Sequence, residues 1–475
     1  MAEVGWLRRG LSLALWASAV CLGGTGGAEE QKMFVRVSPR DPRYLELSDG
    51  SPYVPIGLNA VGPDRGGMAD YERWLKALSE NGGNFCRIWL SNGFFDAEHV
   101  RSGQYDPEKA KRIEELLALA RRHGIRLKLC LEHFRHLSDQ PAWCGKRLHL
   151  VSQGGPAASI ADFFDGERPR EQFKRKLAWF AERFGSDPTV FGWELWNEVD
   201  CVAGGDWMAW SEVMLAELHR LFPKSLAMQS LGSFDTAGKR ERYRRHSLLP
   251  GNDVAQVHRY LDLGASLAVC RGPMDVLAAD AVRELRSHEP RRPILLAESG
   301  AVEPSHSGPF KLYEKDKAGI LLHDVLFAPF FAGAAGPGHI WHWNVYVDKL
   351  NLWHHFGRFA EAIRGIDPPA EAFEPIELQH DPLRILALKG RKTFLAWCRD
   401  REDTWEAELR DAKPPRRLSG ITLDFSAHLP AADKLPARIY DPWTNQWTSR
   451  EADRGRLTLP DFSRSLIFRV ELQRP

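Results

Sequence analysis

From about residue 53 to about 366, short apolar runs alternate with segments of helical spacing. Short apolar runs bounded by turn residues read as buried strands. They fall at 53–58, 84–90, 126–131, 190–196, 225–231, 254–258, 293–297 and 339–343. Between them Tyr71, Trp74, Leu75 and Leu78 sit at i, i+3, i+4 and i+7, and Asn81-Gly82 supplies a stop. Ile113, Leu116, Leu117 and Ala120 repeat that spacing, and Phe173, Leu177, Phe180 and Phe184 form a third stripe. Further helices are predicted over 206–221, 237–247, 276–288, 313–330 and 354–366. Eight alternations of strand and helix predict an α/β chain with a (β/α)8 TIM barrel. A doubly wound sheet is the alternative. It would carry a Gly-rich phosphate loop after the first strand, where Gly57-Leu58-Asn59-Ala60 stands instead.

Before the first barrel strand, 34–37 and 44–47 with Asp49-Gly50 read as a small hairpin closing the barrel floor. The pattern changes after Pro368-Pro369. Short strands are predicted at 385–388, 393–397, 405–409, 421–425, 437–440, 457–459 and 466–470. Strands at this spacing suggest a small C-terminal antiparallel β-sandwich. Residues 1–28 read as a signal peptide: Arg8-Arg9, an apolar run over 11–22, then small residues to Ala28. The expected division is therefore a leader over 1–28, a catalytic barrel over 29–368 and a sandwich over 369–475.

Such a leader implies a secreted or periplasmic protein. Its apolar run is too short to span a bilayer, and no later stretch is long enough, so no membrane span is expected. Removing it leaves Cys86, Cys130, Cys144, Cys201, Cys270 and Cys398, with no C-x-x-C pair, which argues against a zinc site. An exported chain can pair such cysteines, and sequence does not choose the pairing. With 64 Lys+Arg against 63 Asp+Glu the chain has no field to gather polyanions, so no nucleic-acid partner is expected. The 17 Trp against 9 Tyr fit either large cores or flat faces for a flat ligand, such as a sugar ring.

In a (β/α)8 barrel, chemistry sits at the C-terminal ends of the strands. There the sequence places Asn59 (first strand), Arg87 (second), His133 (third), Asn197-Glu198 (fourth), His258 and Tyr260 (sixth), Glu298 (seventh) and Trp341 (eighth). Buried polar atoms need partners, so a purely structural barrel has no reason to gather them at one mouth. Glu198 and Glu298 come from opposite sides of the barrel. Breaking a glycosidic bond needs a proton on the leaving oxygen and an anion near the developing oxocarbenium carbon, which two facing carboxyl groups provide. Retention of configuration predicts carboxyl groups about 5–5.5 Å apart.

The segments Trp193-Glu194-Leu195-Trp196-Asn197-Glu198 and Pro293-Ile294-Leu295-Leu296-Ala297-Glu298-Ser299-Gly300 resemble the retaining glycoside hydrolases of clan A, most of all glycoside hydrolase family 5, the cellulase and β-mannanase group. The resemblance covers the barrel. It implies that Glu198 is the general acid/base and Glu298 the nucleophile. It further implies that Asn197 bonds the sugar 2-hydroxyl, that Arg87 and Tyr260 hold Glu298 ionised and aimed, that His258 meets substrate or Glu198, and that Trp341 lies beneath the reacting sugar. His133 and Asn59 join them as candidate substrate ligands. It assigns nothing after the fifth strand, where Ser230 and Ser233 are available. No cofactor or metal is implied: His354-His355, His342 and His133-x-x-His136 lack the His-x-His pattern of a barrel metallohydrolase. The function so implied is hydrolysis of a β-linked polysaccharide or oligosaccharide, a β-mannan or β-glucan, by double displacement. Alternatives are a non-catalytic carbohydrate-binding barrel and a transglycosylase. Glu194 lies earlier in its strand and reads as buried structure. Over 134–169 a long insertion with Trp143 shapes the mouth. Trp143, Trp207, Trp343 and Trp353 are further stacking candidates, and Tyr440-Asp441-Pro442-Trp443-Thr444-Asn445 resembles a turn of appended sandwich domains.

Overall fold

A computed structural model describes residues 32–133, 137, 148–429 and 434–472. The predicted leader, Cys144, Trp143 and His136 lie outside the described residues. Parallel strands Gly57–Asn59, Phe85–Trp89, Arg126–His133, Val190–Asn197 and Leu226–Met228 pair in that order, and Ala255–Asp262 pairs with Ile294–Val302. The gap between the fifth and sixth strands is spanned by the Asp253 amide bonding Ala227 O at 2.9 Å. The eighth position is a single residue, Ile340, in parallel bridges to Leu58 on one side and Ser299 on the other. These links complete the predicted ring, with the predicted 339–343 strand reduced to that one rung.

Helices Met68–Glu80, Pro107–Arg122, Glu167–Phe184, Trp207–Leu221, Arg240–Ser247, Met274–Arg286, Ile320–Phe331 and His354–Ala362 surround it. Their apolar stripes face the strands: Tyr71, Trp74, Leu75 and Leu78 are all buried. The seventh helix departs from the predicted 313–330. Asp316 accepts from the amides of Ile320 and Leu321 at 2.8 and 3.0 Å, and Gly319 takes a left-handed φ of 72°. Together they start the helix at Ile320, after a separate 3-10 turn Lys311–Lys315. Every residue of Ile320–Phe331 is buried. A helix apolar on all sides needs cover on its outer face, and the C-terminal region provides it.

That region is one antiparallel ladder of eight strands, in the order Glu374–His380, Leu383–Lys389, Thr393–Asp400, Ser465–Glu471, Lys434–Asp441, Gln446–Asp453, Arg456–Thr458 and Thr422–Asp424. It curls until Phe394 stacks on Phe425 at 5.3 Å. The enclosed face carries Leu383, Ile385, Ala387, Phe394 and Phe468. The other face sends Leu386, Leu388, Leu395, Trp397 and Ile467 into the barrel's own core. Alternation along one strand thus serves two cores.

Two strands escaped the sequence pattern because both are half-exposed, Glu374–His380 and Gln446–Asp453. The predicted strand 405–409 is instead a turn of π-helix, Glu406–Arg410. Trp405, ahead of it, turns to the barrel and donates to Gly272 O at 3.1 Å.

Candidate active site

The catalytic candidates meet at the C-terminal mouth of the ring. Arg87 leaves the second strand fully buried. Its Nε donates to Glu194 Oε2 at 2.7 Å, its Nη1 to Glu298 Oε2 at 2.7 Å and its Nη2 to Asn197 Oδ1 at 2.6 Å. Tyr260 from the sixth strand donates to Glu298 Oε1 at 2.7 Å. Each oxygen of Glu298 therefore accepts from a fixed donor. The seventh strand contains a bulge there: Leu296 pairs with Val257 but Glu298 already pairs with His258. Bulges re-aim side chains beside active sites. Ala297, the extra residue, has its carbonyl held by Asn59 Nδ2 at 3.2 Å.

Glu198 stands in a different setting. It follows the fourth strand at φ 54° and ψ 51°, a left-handed conformation uncommon outside Gly. That backbone swings its carboxyl across the mouth, where the side chain keeps 14% of its exposure. Its Oε1 lies 3.0 Å from His258 Nδ1. Burial, with Asp200 adding to it, pushes the Glu198 carboxyl up to about 7. Burial lowers His258 to about 4, so this neighbour is neutral near pH 7 and supplies no counter-charge. Oxygens of Glu198 and Glu298, with a His258 nitrogen, lie within 4.8 Å of one another. That close approach is in keeping with the spacing of about 5–5.5 Å in retaining enzymes.

Glu194 is buried beneath the pair, as its strand position suggests. Burial alone would raise its pKa, but Arg87 and Lys128 prevail and hold it down at about 2. Asn197 is brought to the mouth by Arg87. Trp341 is half-buried there, its ring 5.3 Å from Trp89, which stacks on His133 at 5.0 Å. His133 also has Nδ1 2.8 Å from Ser91 Oγ.

Asn59 is not brought to the surface of the mouth. It is fully buried, accepting from Arg87 Nη1 at 3.2 Å and bonding the carbonyls of Ala297, His339 and Ile340. Its amide ties the first, seventh and eighth positions together, which leaves it nothing for a sugar. Ser230 serves Glu198 directly, accepting its backbone N–H at 3.2 Å. Asp200 escaped the sequence reading. Its Oδ1 accepts from Gly232 N at 2.6 Å and its Oδ2 from Arg242 at 2.7 Å. The signal was present, an acid two residues after the Asn-Glu pair, but only the turn geometry shows it facing inward. Trp343 and Trp353 are buried in the core, and Trp443 and Trp447 point their indole N–H groups at Ser465 and Glu361. His342 and His355 meet Tyr313 and Ala318 O. Among the described residues, Cys86, Cys130, Cys201, Cys270 and Cys398 are free thiols.

No family model matches the chain. Mannan endo-1,4-beta-mannosidase 7 of Arabidopsis thaliana is 26% identical over 291 residues, 53% of this chain and 65% of that one. Mannan endo-1,4-beta-mannosidase 2 of the same plant is 29% identical over 219 residues, 40% of this chain and 49% of that one. The chain thus spans about half to just under two thirds of these relatives' length. A glycoside hydrolase family 5 structure from Bacteroides vulgatus superposes with a TM-score of 0.57 at 13% identity, over 93% of this chain and 94% of that one, so the same fold recurs across nearly the whole length. In its carboxylate pair and its sequence relatives together, the chain is most like the retaining glycoside hydrolases of clan A, family 5.

Proposed function

We propose that the chain is a retaining β-glycosidase that hydrolyses β-mannan by double displacement. One observation carries this: two carboxyl groups within reach of one sugar carbon, one clamped by Arg87 and Tyr260, the other left near neutrality. Glu298 attacks the anomeric carbon while Glu198 gives its proton to the leaving oxygen. The glycosyl ester removes the charge on Glu298. Glu198 then loses its proton more readily and acts as base toward water. Asn197 would hold the 2-hydroxyl, Trp341 would lie under the reacting ring, and His258 would steer the Glu198 carboxyl. The relatives' names favour β-1,4-mannan over β-glucan as substrate. A binding barrel without catalysis has no use for this pair of opposed environments.

The leader read over 1–28 supports export from the cytoplasm, and no helix among the described residues is long and apolar enough to cross a membrane. The C-terminal ladder, two-layered in the manner of a sandwich, supports the barrel. The test is a reducing-sugar assay on β-mannan, β-glucan and xylan. Glu298→Ala should lose on the order of 10⁴-fold or more in kcat, as removal of a covalent nucleophile does, with the variant still unfolding cooperatively on heating. Equal activity of the variant would refute the assignment.

A further inference from the structure

Glu198 follows the fourth strand and Glu298 lies within the seventh, at its bulge. The line joining them divides the mouth. Trp341, Trp89 and His133 occupy the side formed by the eighth, second and third strands. Strands five and six form the other side, and a separate polar array stands there. Ser233, after the fifth strand, has Oγ 3.2 Å from His306 Nε2. His306 Nδ1 lies 3.0 Å from Asp262 Oδ2, at the end of the sixth strand. Asp262 is buried, and its Oδ1 also accepts from the amides of Gly264 and Ser305 at 2.7 and 2.9 Å.

The array is held against backbone preference. Ser305 and His306 have φ of 60° and 57°, two successive non-Gly residues in the left-handed region. Such strain persists where the surroundings fix it, and it gathers at functional sites. Here the carboxylate of Asp262 fixes it. An aspartate accepting at Nδ1 sets the tautomer of the neutral ring, whose Nε2 then accepts from the Ser233 hydroxyl. His306 keeps 37% of its side-chain exposure, so it is reachable from solvent. Its ring meets that of Tyr260, the Glu298 clamp, at 5.1 Å. Ser233 follows Gly232, where an added Cβ would lie 3.9 Å from Glu198 Cβ. The array thus borders both carboxyl groups.

Serine, histidine and aspartate at these distances also describe an acyl-transfer nucleophile. That reading lacks free amides flanking Ser233 to hold an oxyanion. The amides on either side of Ser233 are already committed, Gly232 N to Asp200 and Phe234 N to His258 O. Recognition of hydroxyl groups remains. We infer that Ser233 and His306, oriented by Asp262, bind the sugar that leaves when the bond is cut, and so set preference for a carbohydrate leaving group. The inference rests on the proposed glycosidase reading, in which the retained sugar lies over Trp341 and the departing one on the opposite side of the two carboxyl groups.

The test compares a mannotriose-or-longer oligosaccharide with an aryl β-mannoside carrying an activated phenol, for the wild type, His306→Ala, Ser233→Ala and His306→Gln. The ratio of kcat/KM for oligosaccharide over aryl glycoside should fall at least tenfold in His306→Ala and about threefold in Ser233→Ala, mainly through KM, with partial recovery in His306→Gln. A ratio unchanged in His306→Ala, whether both activities fall together or neither does, overturns the inference. Calorimetric binding of mannohexaose to Glu298→Ala, with and without His306→Ala, reads the same point without turnover. Affinity should drop at least fivefold, and equal affinities overturn it. Wild-type inactivity on both substrates would count against the glycosidase reading, while the binding pair still decides on His306.

Discussion

Two regions of this protein bury an arginine between two carboxylates, and they treat the charge differently. At the mouth, Arg87 bridges Glu194 and Glu298, and Lys128 stands 3.3 Å from Glu194 as a second cation. At the seam between barrel and C-terminal ladder, Arg399 bridges Asp324 at 3.0 Å and Asp403 at 3.1 Å. Burial pushes Asp324 up to about 7, with Asp275 nearby adding to it. Two cations hold the mouth's buried Glu194 ionised. One guanidinium shared between two seam acids does not. Buried ion pairs are weak sources of stability but costly to break. The mouth spends its extra cation on keeping anions in place for chemistry, and the seam lets protons do the neutralising.

Four measurements would break or sharpen that contrast. The largest effect is expected from Arg87→Met, which strands two buried carboxylates. Hydrolysis should fall by about 10³-fold or more and stability by about 3–5 kcal/mol in urea unfolding. Arg399→Met should cost less than Arg87→Met, because the seam acids can take up protons. A larger loss at the seam would invert the comparison.

Next, Tyr260→Phe removes one donor to Glu298 and leaves the ion pair. kcat should drop about 10- to 100-fold while the unfolding temperature barely moves. A large thermal shift would make Tyr260 a structural residue instead.

Smaller effects concern protons. Glu198 must be protonated in the first step, so activity should decline as pH rises through about 7. Asp200→Asn keeps an oxygen for Gly232 N but removes a negative charge. The alkaline limb should then move to lower pH, and a limb that stays put would dismiss Asp200 as a tuning group. The smallest change lies at the seam. Asp324 has a folded pKa above its unfolded value, so its stabilising contribution is full at low pH and lost as pH rises through about 7. Unfolding temperatures should therefore decline between about pH 4 and pH 7, and Asp324→Asn should flatten that decline.

Much of this was legible in the chain. Arg87, Asn197, Glu198, His258, Tyr260, Glu298 and Trp341 could be found because a barrel sends the ends of its strands to one face, so strand order alone gathers them. Asn59 misled for the same reason. It ends a strand like the others, yet its amide is used up on three backbone carbonyls. His306 was invisible because it follows the seventh strand in a loop without periodicity, and only Asp262 and two left-handed residues bring it to the mouth.

The sequence by itself determined what apolar period and strand order can encode: a ring of alternating strands and helices, a β-rich end, and two glutamates facing each other. These depend on neighbours close in the chain or on a repeated connection. Tertiary structure alone decided the rest. The protonation of Glu198, the single-rung eighth strand, the fully buried Ile320–Phe331 helix and the Ser233–His306–Asp262 array each depend on groups far apart in sequence. Burial and electric field are properties of the surroundings, and a chain acquires surroundings only by folding.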